Sequence, residues 1–155
     1  MPLKPTERLG AKKFYAANLA TTLGNTVGSM VAVYDFSVLG GAVGSVTLKD
    51  LDGNDAVLPK GAIIKNGFLR VLTAAASAGG SGTIAFGANT TTDLKTATDA
   101  DTLSGIVAII PVGTAATAVA LTADRNLQAT IATEALTAGK IELHVDFVYG
   151  SDVVG

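Results

Sequence analysis

Cysteine is absent from the 155 residues, so neither a disulfide nor a thiolate-based metal site is available. Tryptophan is absent too, and aromatic residues make up only 5% of the chain. That leaves little material for the flat aromatic platforms on which sugars stack. Charge is scarce: 15% of residues are charged, against about 25% in an ordinary globular domain. A weakly charged surface repels its own copies less, so association with other subunits is expected. The net charge of −2 offers no broad positive field for nucleic acid or an anionic membrane. No run approaches the roughly 20 consecutive apolar residues of a membrane helix. The opening MPLKPTERLGAKKFYAANLATTLGN has no apolar centre of the kind an export signal carries. These absences describe a chain made and assembled in a cytoplasm, with no direct nucleic-acid or membrane partner.

Present instead are short apolar runs separated by turn residues, with hydrophobic residues at 48% of the total. The length suits one domain with a real core. The first 26 residues stand apart. Lys4, Arg8, Lys12 and Lys13 against Glu7 give them +3, leaving −5 on the rest of a chain whose total is −2. Pro2 and Pro5 disfavour an early helix, and GNTVG reads as a turn. Residues 1–26 therefore read as an extended basic arm and 27–155 as the folded domain. The candidate contact residues of the arm are Lys4, Arg8, Lys12 and Lys13, with Phe14 and Tyr15 as apolar anchors.

From Gly28 onward the period is two. SMVAVYDFSVL sets Met30, Tyr34, Phe36 and Val38 against Asp35 and Ser37, which predicts one strand through Val38. SVTLKDL, AIIKNGFLRVLTA, TIAFGA, GIVAIIPV, TAVALTA, NLQATIAT and KIELHVDFVYG bring the expectation to about eight strands. DGND, LPKG and SAGGSG are turns, and TTTDLKTATDADTLSG is a loop with a helical turn near Asp93–Ala97. Pro111 cannot donate to a ladder, so its strand stops there or lies at an edge. Many short strands without long amphipathic helices or βαβ spacing predict an all-β antiparallel sandwich or jelly roll.

Chemistry is sparse. His144 is the one histidine, on the polar face of IELHVDFVYG with Glu142 and Asp146 two residues to either side. Same-face neighbours along a strand stand about 7 Å apart, too far for a triad-like hydrogen bond, so His144 reads as part of a solvated or subunit-contact face. GGSGTIAFG lacks the strand-to-helix elbow of a nucleophilic serine. SAGGSG precedes a strand where a phosphate cradle needs a helix N-terminus. DLDGNDAVLPKG offers Asp50, Asp52, Asn54 and Asp55 as oxygen ligands, but glycine comes fourth and the twelfth residue is Gly61. A calcium loop needs glycine at position six and a bidentate acid at twelve. A hairpin turn through Gly53 and Asn54 explains the stretch more simply. No catalytic residue, metal or cofactor is called for.

Three stretches carry a resemblance: YDFSVLGGAVGSVTL, LPKGAIIKNGFLRVLTAAASAGGSGTIAFGAN and IPVGTAATAVALTADRNLQATIATEALTAGKIELHVDFV. Over roughly residues 32–149 the chain resembles the small decoration, cement or head proteins of tailed bacteriophages. The resemblance rests on the GGAVG turn, the LPKGAII strand entry, the GGS-x-TIAFG hairpin and the LTAGKIELHVDF closing strand. It implies a sandwich or jelly roll that forms homo-oligomers, commonly trimers, on the outer surface of the virion. There it would bind the major capsid protein and stabilise the head, without catalysis. The alternative is a glycan-binding adhesive module on a phage head or tail fibre. A small hydrolase or isomerase built on a jelly roll is the third reading, which loss of turnover in His144→Ala would favour.

Overall fold

A computed structural model describes residues 26–149 of the chain. Eleven strands are found there: β1 (Thr26–Asp35), β2 (Gly44–Thr47), β3 (Val57–Leu58), β4 (Ala62–Ser77), β5 (Thr83–Gly87), β6 (Lys95–Asp99), β7 (Ile106–Val112), β8 (Val119–Ala120), β9 (Arg125–Asn126), β10 (Gln128–Ala132) and β11 (Leu136–Tyr149). One sheet has the order β1-β11-β4-β7, with β8 also paired to β4; the second has the order β2-β10-β5-β6. β3 and β9 form a small ribbon apart from both. The sheet pairings are antiparallel throughout. The fold is an all-β sandwich, as composition and spacing led us to expect.

The strand period explains the core. On β11, Ile141, Leu143, Val145 and Phe147 face inward and are buried, while Glu142, His144, Asp146 and Val148 alternate on the other face. Opposite them, β5 and β10 supply Ile84, Phe86, Ala129 and Ile131 from the second sheet. β11 runs the length of the first sheet, between β1 and β4; its register with β4 shifts around Gly139 and again at Lys65, the extra residue of β4 opposite Asp146 and Phe147. Its end pairs with the start of β1, Tyr149 lying opposite Thr26.

Three expectations need correction. The first strand does not run through Val38: it stops at Asp35, and Phe36–Leu39 form a single helical turn, α1. Asp35 caps that turn, accepting from the backbone N–H of Ser37 at 2.9 Å and from its hydroxyl at 2.6 Å. Gly40 closes it at φ +74°, and its carbonyl accepts the hydroxyl of the buried Tyr34 at 2.8 Å. Burial, and secondarily the charge of Asp35, raises the Tyr34 pKa and keeps it a donor.

The expected helical turn around Asp93–Ala97 is also displaced. Residues 95–99 pair with β5 as a strand, and the turn is a 3₁₀ turn at Ala100–Thr102, capped by Asp99. Asp93 instead accepts backbone N–H groups of Ala88, Asn89 and Thr90, which folds the loop back before β6 begins. The strand count rises from about eight to eleven because β6 lies within the expected loop and β3 and β9 are two-residue pieces, too short to leave a periodic signal; the strand expected over TAVALTA is β8, reduced to Val119–Ala120. Pro111 lies within β7, an edge strand of the first sheet, as its missing N–H requires.

Candidate functional site on the outer face of the five-stranded sheet

The inward faces of both sheets are used by the core, so function falls to what points outward. In the first sheet, β-register sets outward side chains in rows. One row is Val33, Glu142, Arg70 and Ile106; the next is Val31, His144, Phe68 and Ala108. Large apolar side chains stand exposed on this face, including Val27, Phe68, Leu72, Ile106 and Val112. Such a patch on a weakly charged chain is the signature of a contact surface rather than a solvated one.

His144 sits at the middle of this face. Contrary to expectation, it does bond to its strand neighbour: Nε2 lies 2.8 Å from Oε2 of Glu142, whose carboxylate accepts. The 7 Å estimate holds for the backbone, but two long side chains leaning together close the gap. The Arg70 guanidinium reaches the same Glu142 oxygen at 3.6 Å. The imidazole also stacks on the Phe68 ring, with centroids 4.5 Å apart and planes 13° from parallel. Together these contacts lock the ring flat against the sheet. Asp146, expected to flank it, lies in the next row opposite Asn66 and Ser29.

At one end of the face the sheet dips into a hollow of about 360 Å³. Val33, Leu72 and Glu142 line its floor, and Val38, Leu39 and Leu51 contribute apolar walls from α1 and the 50–54 turn. Lys140 and Asp35 pair within it at 3.0 Å. The Asp35 carboxyl is held below its ordinary range, chiefly by the Ser37 hydroxyl and next by Lys140.

The other motifs resolve into turn structure. Asp50 spends its carboxylate on its own loop, accepting backbone N–H groups of Asp52 at 2.9 Å and Asn54 at 2.8 Å. Asp55 is paired with Lys49 at 2.6 Å. Among the described residues no three His, Asp or Glu side chains converge as a metal site. The glycine loop SAGGSG holds an anion, but it is the protein's own: Glu134 accepts from the backbone and hydroxyl of Ser81, each at 3.2 Å. Those bonds, led by the Ser81 N–H, lower the Glu134 pKa. No helix among the described residues is long and apolar enough to cross a membrane.

Lys4, Arg8, Lys12, Lys13, Phe14 and Tyr15 lie outside the described residues, as does all of the expected arm except Thr26. The outward apolar side chains of the first sheet escaped sequence reading. The available signal was in AIIKNGFLRVLTA, where Ile63, Phe68 and Leu72 occupy outward positions that a half-solvated strand would fill with polar residues.

No protein-family model and no curated protein matches the chain. Two solved structures do. One is a chain of the acidic stable capsid structure of Helicobacter pylori bacteriophage KHP30, with TM-score 0.55 and 14% identity, covering 80% of this chain and 90% of that one. The other is a chain of the cyanophage Pam1 capsid asymmetric unit, with TM-score 0.55 and 18% identity, covering 81% of this chain and 86% of that one. The sandwich described above, with its exposed sheet face, is thus similar in fold to chains found in the capsids of two bacteriophages.

Proposed function

We propose that this protein is a virion structural protein, a decoration or cement protein that binds major capsid subunits on the outer surface of a phage head. The observation that carries the reading is the fold shared, over most of both chains, with components of two phage capsids. Fold alone does not fix function, and the exposed face supplies the second support. Its apolar residues are interspersed with paired charges, Arg70 with Glu142 and Lys140 with Asp35, so that few charges on it stand alone. The strand order supports reading the sandwich as a jelly roll. With only the eight longer strands counted along the chain, the sheets run 1-8-3-6 and 2-7-4-5, two interlocked Greek keys.

In this reading the protein performs no catalysis, and His144 acts as a packing and hydrogen-bonding group. Copies associate on the shell, with trimers favoured by the resemblance, and assembly takes place in the host cytoplasm without direct nucleic-acid or membrane contact. The basic segment, with Lys4, Arg8, Lys12, Lys13, Phe14 and Tyr15, adds contacts to the shell or to a neighbouring copy. Many weak contacts, each of about 800 Å² per partner, would together stabilise a head against internal pressure.

The test is to add purified protein to capsids lacking it and image the particles by electron microscopy. Ordered density at capsid-subunit junctions, with raised thermal resistance of the heads, is the expected result. A folded protein that leaves capsids undecorated, or that binds bacterial surface glycans on an array instead, overturns the reading. Removing residues 1–15 should leave the sandwich folded and lower occupancy on the shell.

A further inference from the structure

Every open sheet has two edges, and proteins usually blunt them to stop unwanted pairing. Three of the four edges here are blunted. β7 carries Pro111, and its Ile110 N–H is taken by the carbonyl of Leu94 at 2.8 Å. β6 has Lys95 and Asp99 at its ends and a register shift in its pairing. β2 is four residues long. β1 differs: it is ten residues long, with no proline and no register shift against β11. From Val27 to Tyr34 it has no Asp, Glu, Lys or Arg.

The direction of its free groups follows from one bond. Val33 exchanges both backbone hydrogen bonds with Lys49, at 2.6 and 3.1 Å, so its N–H and C=O point away from β11. Antiparallel pairing alternates strictly, so Val31, Ser29 and Val27 point the same way. Among the described residues nothing pairs with these three. The Lys49 contact caps the edge at Val33 and leaves Val27–Val31 as the open stretch.

We infer that this open edge of β1 is a two-fold contact with a second copy of the chain, centred on Ser29. The stretch is self-complementary in the way a two-fold requires. Ser29 exchanges both hydrogen bonds with its own counterpart, and Val27 and Val31 exchange theirs with Val31 and Val27 of the other copy. Because a residue at the centre faces itself, a charge there would repel; a small exposed serine stands there instead. On the outward face Val27, 65% exposed, meets Val31. On the inward face Gly28 stands opposite Met30 of the other copy, and the Phe147 ring of its own chain packs over Gly28. The two five-stranded sheets then join as one, and the row through Phe68, His144 and Val31 continues across the axis into Val27 and Val148 of the other copy. The two-fold edge contact does not depend on the shell reading.

The full chain tests this in solution, without capsids. Sedimentation equilibrium from micromolar to millimolar concentration should show a monomer–dimer equilibrium. Ser29→Lys places like charges face to face and is expected to raise the dissociation constant at least about tenfold, whereas Ser29→Thr retains association. In a chain with no native cysteine, Ser29→Cys should cross-link its own copies much faster than the exposed Ser104→Cys. Far-UV circular dichroism identifies variants that keep the sandwich. A wild-type monomer throughout the range, or association unchanged in a folded Ser29→Lys, overturns the inference. So does a chain lacking residues 2–20 that associates where the full chain does not, since the edge would then be covered by its own terminal segment.

Discussion

The two sheets of this sandwich share a core yet present opposite outer faces. On the four-stranded sheet the outward row contains Ser45 and Thr130, whose hydroxyls bond each other at 2.7 Å, with Thr47 and Gln128 beside them. On the five-stranded sheet the equivalent positions hold Val31, Phe68, Leu72 and Ile106 among the charged residues Arg70, Glu142 and Lys140. Small hydroxyl side chains satisfy one another and meet water at little cost. Exposed aromatic and branched side chains do not, and their retention on one face only points to a partner for that face.

The comparison can be attacked at several points. The largest effect belongs to the shared core: Phe86→Ala, at a fully buried position, should cost about 3–5 kcal/mol in denaturant unfolding. Next come the outward positions of the five-stranded sheet. The double variant with Phe68→Ser and Leu72→Ser should lose at least about tenfold in capsid affinity, with a stability change of about 1 kcal/mol, mostly from the lost stacking on His144. If stability falls as far as it does in Phe86→Ala while attachment is unchanged, those side chains belong to the core and the contrast between faces fails. Thr130→Ala on the other sheet should cost about 1 kcal/mol or less and leave attachment unaltered. An equal loss of attachment would make both faces contact surfaces.

The smallest effect is on pH dependence. Asp35, Asp101 and Glu134 all have depressed pKa values, led respectively by the Ser37 hydroxyl, the Ser77 hydroxyl and the Ser81 N–H. A depressed folded pKa means the unfolded chain takes up protons first as pH falls. Their contribution is present above the ordinary carboxylate range and disappears through the lower folded values. The melting temperature should therefore fall as pH drops from about 5 toward 2. Burial raises Tyr34 and Tyr149, so their contribution is present below about pH 10 and is lost as pH rises through the higher folded values.

Sequence reading recovered the long elements for a simple reason. β4 and β11 are long enough to repeat their period several times, and the alternation in IELHVDF places each residue on its observed face. It failed where local hydrogen bonding overrode the period. Asp35 capping α1 and Asp93 gathering three N–H groups are one-residue decisions that hydrophobic spacing does not record. The contact face was legible only in part. Glu142 and His144 were placed on the correct side, but their hydrogen bond depends on side-chain lean, and the row through Phe68 and Val31 depends on cross-strand register. Register is set by pairs distant in sequence, and a single strand does not reveal it.

Thr26 and Tyr149 are register partners on the adjacent strands β1 and β11, so the chain enters and leaves residues 26–149 through one doorway. A short linker could splice the two and let new ends be opened at an exposed turn such as 52–54, a rearrangement the strand pairings would survive. It also means that a displayed peptide spliced directly onto Thr26 or onto Tyr149 starts from the same corner of the sandwich.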